Sequence, residues 1–169
     1  DHRIIAGQAT AALEMIQDQG PFDLLLTPVG GGGLLSGTTL TNHFFNPGGI
    51  VLGAEPEGAD DALRSLKAGT IIPSENPRTI ADGLLTSLGS LTFPIIRQHV
   101  AGILPVSEEN IIRAMRLLWE RMKIIIEPSA AVTLGAVLQH PSVFRNRKTG
   151  IILSGGNLDL DRIPWLKGT

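Results

Sequence analysis

Three short segments of this sequence carry residue types that suit ligand chemistry. The first is DLLLTPVGGGGLLSG, residues 23–37, where Gly30, Gly31, Gly32 and Gly33 separate an apolar run from a second apolar stretch. Residues without side chains let backbone N–H groups close on a guest and accept φ > 0 at little steric cost. A strand, a glycine turn and a helix N-terminus together make an anion site, most often for phosphate. A ligand-free turn needs fewer glycines, and each one forfeits backbone entropy on folding. The second segment is SGGN, Ser154 to Asn157, which follows another apolar run. In a parallel sheet, ligands sit at the carboxyl ends of strands, so two glycine turns there can face one crevice, the second offering a hydroxyl. The third is GAEPEGADD, residues 53–61. Glu55, the Ala59 carbonyl and Asp61 all present oxygen there, which suits Mg²⁺, Ca²⁺ or Mn²⁺. The plainer reading of Asp60 and Asp61 is that they cap and charge the next helix.

The spacing around the glycines excludes two common phosphate motifs. A Walker loop needs a lysine, but Gly37 is followed by Thr38 and Thr39. A dinucleotide G-x-G-x-x-G fails as well: Gly31 and Gly33 lead to Ser36, and starting from Gly32 would need glycine at Leu34. Glu55, at the end of the next strand, leaves a Rossmann-type nucleotide-binding module as an alternative, since an acid there holds a ribose.

These segments must be positioned by alternating strands and helices. Residues 10–17 have helical spacing, 24–29 read as a buried strand and 34–45 as a helix. A second strand covers 50–54, and a helix covers 60–68 with Gly69 as its stop. Residues 70–93 are turn-rich and irregular. A short helix is expected over 94–100 and a strand over 103–106. Ser107 is a good N-cap, with Glu108 and Glu109 in the first turn of a helix whose stripe holds Ile111, Met115, Leu118 and Met122. Residues 124–126 read as a strand or an apolar helix end. Pro128 suits a helix N1 position, which makes 129–138 an Ala-rich helix. The last strand is 151–153. This order implies an α/β fold of three layers, a mostly parallel sheet covered by helices on both faces.

Composition narrows the function further. The 169 residues suffice for a single domain with a substantial core. A net charge of −2 gives no general attraction to nucleic acid or membrane. Cysteine is absent, which excludes disulfides, thiolate nucleophiles and cysteine metal sites and favours a reducing, cytoplasmic setting. No uninterrupted apolar stretch is long enough to span a bilayer. The start, DHRIIAGQAT, has neither signal-peptide character nor an initiator Met, which points to a fragment or processed product. His2, His43, His99 and His140 share no spacing and read as surface or packing residues.

Taken in order, PVGGGGLLSG, GAEPEGADD, TIADGL, ERMKIIIEPSAA and LSGGN resemble the pyridoxal-phosphate enzymes of fold type II. Within them the chain is most similar to the eukaryotic serine racemases, with threonine and serine dehydratases next. The resemblance covers nearly the whole chain. It implies that Gly30, Gly31, Gly32, Gly33 and the Leu34 amide bind the cofactor phosphate and that Ser154 hydrogen-bonds the pyridine nitrogen. A hydroxyl there leaves the ring nitrogen largely neutral, which disfavours transamination and remains compatible with β-elimination and α-proton exchange. The resemblance also implies a divalent-metal site at Glu55, Ala59 and Asp61. Lys123 and Asn157 match positions that contact an activating ATP at a subunit interface of a homodimer. Glu127 matches an acid lining the cofactor cavity, and Gly83 a loop passing over the ring. The family's Schiff-base lysine lies in an S-x-K-x-R-G type motif that this sequence lacks; Lys67, Lys123, Lys148 and Lys167 stand in other contexts. The chain is therefore expected to be the C-terminal part of the enzyme, residues 1–169 forming one domain without the catalytic lysine, the opposite-face serine or the small domain. The expected parent activity is serine racemisation with dehydration of serine to pyruvate and ammonia. A threonine or serine dehydratase is the nearest alternative, and a domain that only binds or regulates is a further one.

Overall fold

A computed structural model describes residues 1–166; Lys167, one of the lysines weighed above, lies outside the described residues. The order of elements is α1 (His2–Gln19), β1 (Leu24–Pro28), α2 (Gly33–Phe45), β2 (Ile50–Pro56), α3 (Asp61–Ala68), α4 (Thr92–His99), β3 (Gly102–Val106), α5 (Glu108–Leu117), α6 (Pro128–Gln139), α7 (Pro141–Phe144) and β4 (Thr149–Ile151). The four strands form one all-parallel sheet in the order β3-β2-β1-β4.

β1 is buried at every position because the pleat sends its side chains to two covered faces. Leu24 and Leu26, with Leu52 and Ala54 of β2 and Val106 of β3, pack against Ile111, Met115, Ala131 and Val132 of α5 and α6. Leu25, with Val51 and Ile103, packs on the other face against Ala12 and Ile16 of α1, Leu35 of α2, Ala62 of α3 and Ile96 of α4. A strand buried on both faces reads as a continuous apolar run, which is why residues 24–29 have no polar alternation.

Where structure and sequence reading differ, the causes are local. Helix α1 runs the full length from His2, its N-terminus capped by the Asp1 carboxylate on the Arg3 amide. Residues 124–126 are neither strand nor helix: α5 passes into a π-helical turn at Leu118–Met122, and Lys123 then adopts φ 59, which breaks the ladder. The last strand lies two residues earlier than read, at Thr149–Ile151, because β4 pairs with the start of β1, Leu24 with Thr149. The turn-rich segment after α3 is irregular as expected, except for a 3-10 turn at Asp82–Leu84.

Candidate functional site

The connection order places a crevice at one point of the sheet. The chain steps from β1 to β2 to β3, then returns across the sheet to lay β4 on the other side of β1. The loops that leave the carboxyl ends of β1 and β4 therefore diverge, and this reversal is where parallel sheets bind ligands. The loop after β1 is the glycine run; the loop after β4 carries Ser154 to Asn157.

The glycine run is held by packing as well as by its own conformation. Gly32 is the N-cap of α2 with φ 85 and ψ 3, and a Cβ there would stand 2.7 Å from Ile96 Cδ1 and 2.8 Å from Thr92 Oγ1. The Thr92 hydroxyl donates to the Gly31 carbonyl at 2.8 Å and accepts from the Gly89 amide at 3.0 Å. Ser36 N–H closes the first helical turn on the Gly32 carbonyl at 2.9 Å. Among the described residues, the amides of Gly30, Gly31, Gly32, Gly33 and Leu34 donate to no protein acceptor. Unsatisfied N–H groups at the positive end of a helix are suited to an anion. A hollow of about 360 Å³ opens beside them, lined by Gly31, Gly33, Ile4, Ile5 and the 89–92 turn.

The second loop is fixed by Glu127, the residue before Pro128 at the start of α6. Glu127 N–H donates to the Gly155 carbonyl at 3.2 Å, and its carboxylate accepts the Asn157 amide at 2.8 Å. A Cβ on Gly155 would sit 3.0 Å from that carboxylate, so glycine lets the two segments meet. Ser154 is exposed at the lip of the crevice. One residue along α6 from Pro128, Ser129 Oγ accepts the Gly83 amide at 3.0 Å, and the Gly83 carbonyl lies 3.3 Å from where a Cβ on Gly30 would be. Glu127 and Ser129 thus tie the two glycine loops to the same helix start, through the 82–84 turn.

Thr92 and Ser129 escaped the sequence reading. Thr92 has a local signal in retrospect: in Gly-x-x-Thr its hydroxyl and the Gly89 amide bond across the entry of a helix, as caps do. Ser129 has none, because its partner Gly83 is 46 positions away.

Glu55, at the end of β2, is 1% exposed and points at the start of α3, where its carboxylate accepts the Leu63 amide at 2.8 Å and the Ala62 amide at 3.1 Å. Burial pushes its carboxyl up to about 8, against the two backbone hydrogen bonds that pull it down. Asp61 is also buried; burial raises it as well, and its Oδ2 has no hydrogen-bond partner. Asp60 stands at the N-cap position without a side-chain cap bond and pairs instead with Arg64 at 2.7 Å. The helix is therefore capped from outside by Glu55, and the same contacts turn that carboxylate away from the ribose role that the dinucleotide reading gave it. Among the described residues no set of three or more His, Asp or Glu side chains converges as a metal cluster; the predicted set draws its third ligand from the Ala59 backbone. Lys123 and Asn157 are exposed on adjoining segments, since residues 125–127 run against 155–157.

Residues 1–155 match the family model described as pyridoxal-phosphate dependent enzyme. The chain is 54% identical over 166 residues to a serine racemase of Dictyostelium discoideum, an alignment covering 95% of this chain and 51% of the relative. It is 46% identical over 165 residues to a beta-hydroxyaspartate dehydratase of Paracoccus denitrificans, covering 98% and 52%. A solved T.th. threonine deaminase superposes with a TM-score of 0.86 at 50% identity, covering 92% of this chain and 58% of that one. The chain spans about half the length of the curated relatives it matches.

Proposed function

We propose that this chain, which belongs to the pyridoxal-phosphate dependent enzyme family, forms the cofactor-cradling part of an enzyme acting on β-hydroxy-α-amino acids, serine first among them. The observation that carries the reading is the pair of loops at the β1/β4 reversal: one offers a row of amides without acceptors, the other a hydroxyl. The fit is chemical. A phosphate needs N–H donors and room for close approach: Gly30, Gly31, Gly32 and Gly33 would provide both, and Leu34 its amide. A pyridine nitrogen needs one neutral hydrogen-bond partner, which Ser154 provides. The bound cofactor supplies an electron sink for the carbon that loses its proton.

The chain's own part is to bind and orient. The amides at the start of α2 would bind the phosphate, and Ser154, on the loop that Glu127 holds, would hydrogen-bond the pyridine nitrogen. A hydroxyl rather than a carboxylate at that atom keeps the nitrogen largely unprotonated, which favours proton exchange and loss of the β-hydroxyl over transamination. The lysine that links the cofactor and removes the α-proton belongs, in this proposal, to a segment outside the present sequence, and the isolated segment is inactive. Relatives are named for serine racemisation, hydroxyaspartate dehydration and threonine deamination, and the shared substrate feature is a hydroxyl on the carbon next to the α-carbon. Serine racemisation with dehydration to pyruvate and ammonia is the preferred activity; a threonine or serine dehydratase is the second reading.

Glu55, the Ala59 carbonyl and Asp61 would hold Mg²⁺, or Ca²⁺ or Mn²⁺. The supporting observation is the buried Asp61 Oδ2 without a partner beside a buried glutamate, a charge pattern that a hard cation neutralises. Lys123 and Asn157 would contact an activating nucleotide such as ATP, and exposed Met122, Ile124 and Ile125 beside Lys123 suit a subunit contact in a cytoplasmic homodimer. The test incubates the protein carrying this chain, loaded with pyridoxal phosphate, with L-serine, L-threonine or L-threo-3-hydroxyaspartate. The readouts are D-amino acid, keto acid and ammonia. D-serine and pyruvate from L-serine are expected; a cofactor-loaded protein that forms no product from any of the three overturns the reading.

A further inference from the structure

At the opposite end of the sheet from the two ligand loops, helices α2 and α4 both end beside the start of β2. Their last turns bring together two histidines that lie far apart in sequence. The rings of His43 and His99 stand 4.9 Å apart, centroid to centroid, tilted by 56°. Two imidazoles this close are within reach of one shared ion. Both line a cavity of about 320 Å³ together with Thr39, Asn42, Asn46 and the 47–49 turn. The polar groups around the rings are already committed: Thr39 Oγ1 donates to the His99 carbonyl at 3.1 Å, Asn42 Nδ2 to the Gly49 carbonyl at 2.8 Å, and Asn46 Nδ2 to Asn42 Oδ1 at 2.8 Å. Among the described residues no hydrogen bond engages either imidazole; the residues around the cavity bond to one another and to backbone. The neighbouring polar side chains are thus held by these bonds, and the ring nitrogens of His43, which also meets Phe44 edge-on, and of His99 are left to bind a ligand. Two C-terminal helix ends add partial negative charge, which favours a cation.

We propose that His43 and His99 form a binding site for a borderline transition-metal ion, Zn²⁺ or a close analogue such as Co²⁺, with water completing the shell. Imidazole nitrogen suits zinc, copper, nickel and cobalt, whereas Mg²⁺ and Ca²⁺ prefer oxygen. Among the described residues no carboxylate lines this cavity, so the hard cations proposed for Glu55 and Asp61 do not compete for it. The site is remote from the β1/β4 crevice and stands or falls independently of the proposed activity.

The test titrates Zn²⁺ into the protein carrying this chain by calorimetry, at saturating Mg²⁺ to fill oxygen sites, and reads Co²⁺ ligand-field absorbance in parallel. His43→Gln and His99→Gln are each expected to weaken Zn²⁺ binding by at least the ~10-fold that even outer-shell changes cost. His2→Gln and His140→Gln should leave it unchanged. Far-UV circular dichroism and the melting temperature without metal confirm that each variant is folded. Glutamine keeps the polarity and approximate size of the exposed His43 and the half-buried His99, so the fold is expected to survive. Zn²⁺ binding that persists in either pair variant, that is lost in His2→Gln or His140→Gln, that is displaced by Mg²⁺, or that is absent from the parent protein overturns the proposal.

Discussion

Replacing Glu55 with glutamine in metal-free protein should remove the fall in stability with rising pH that this residue causes, so that parent and variant exchange rank between pH 5 and pH 9. The Glu55 carboxyl rises from an ordinary 4.5 to about 8 in the fold, chiefly through burial. Between those values the folded protein holds a proton that the unfolded chain has released. Stability therefore falls as pH rises through that window and levels off above it. At 1.36 kcal/mol per pH unit the loss across the window is about 5 kcal/mol. Glutamine stays neutral throughout and escapes that loss. It carries one acceptor oxygen instead of two, so either the Ala62 or the Leu63 amide is left unpaired, at about 1–3 kcal/mol. The two curves must cross: the parent is more stable at pH 5, the variant at pH 9. Urea unfolding followed by circular dichroism, in EDTA and at half-unit pH steps, measures both. Parallel curves from pH 5 to 9 would refute the assignment of the pH dependence to this residue. Adding Mg²⁺ then tests the metal proposal separately, because an ion bound only by the folded state adds about 2.7 kcal/mol at a hundred times its dissociation constant. The parent should gain stability, most at high pH, and Glu55→Gln should not.

Other substitutions test other contacts. Gly32→Ala combines a positive φ with a Cβ 2.7 Å from Ile96 Cδ1, and about 2–4 kcal/mol of destabilisation, read as a fall in melting temperature, is expected. Gly37→Ala places a Cβ 2.6 Å from the Ala9 backbone amide, so α1 and α2 must separate; a comparable loss of stability is expected, whereas an unchanged denaturant midpoint would show that the helix pair yields freely. Glu127→Ala removes the acceptor of the Asn157 amide and should lower pyridoxal-phosphate affinity in a fluorescence titration by about 1.5–3 kcal/mol, with Glu127→Gln recovering part of it. Ser154→Ala should weaken cofactor binding by about 1 kcal/mol, a factor of about five, and leave the melting temperature of the cofactor-free protein unchanged, since Ser154 is exposed.

The sequence made the strands legible where both faces are covered, because residues 24–29 and 50–54 are apolar without alternation and punctuated by turns. Helix starts were legible where chemistry marks them, at Ser107 and Pro128. The end of α5 was not, since a π-helical turn leaves the apolar stripe intact through Met122 and only the backbone of Lys123 records the break. In the site, the glycines and Ser154 stood out by residue type. The ties between them did not: Glu127 to Asn157, Ser129 to Gly83 and Thr92 to Gly31 each join residues 30 or more positions apart. The meeting of His43 and His99 is of the same kind, a consequence of two helices ending side by side. The role of Glu55 was hidden for another reason, because a strand residue capping a helix from outside has no sequence signature.

The pairing of β4 with β1 also makes the two loops of the crevice unequal in how much of the chain must come together to place them. Leu24 meets Thr149 across 125 positions of chain, whereas β1, β2 and β3 join neighbours through much shorter excursions. Closing the longer loop costs more entropy, so long-range pairing lags behind local contacts as the chain folds. The loop at residues 154–157, which follows β4, thus depends on the longest-range strand pairing of the sheet. A chain in which β4 has not docked would keep the glycine loop and lack its proposed counterpart.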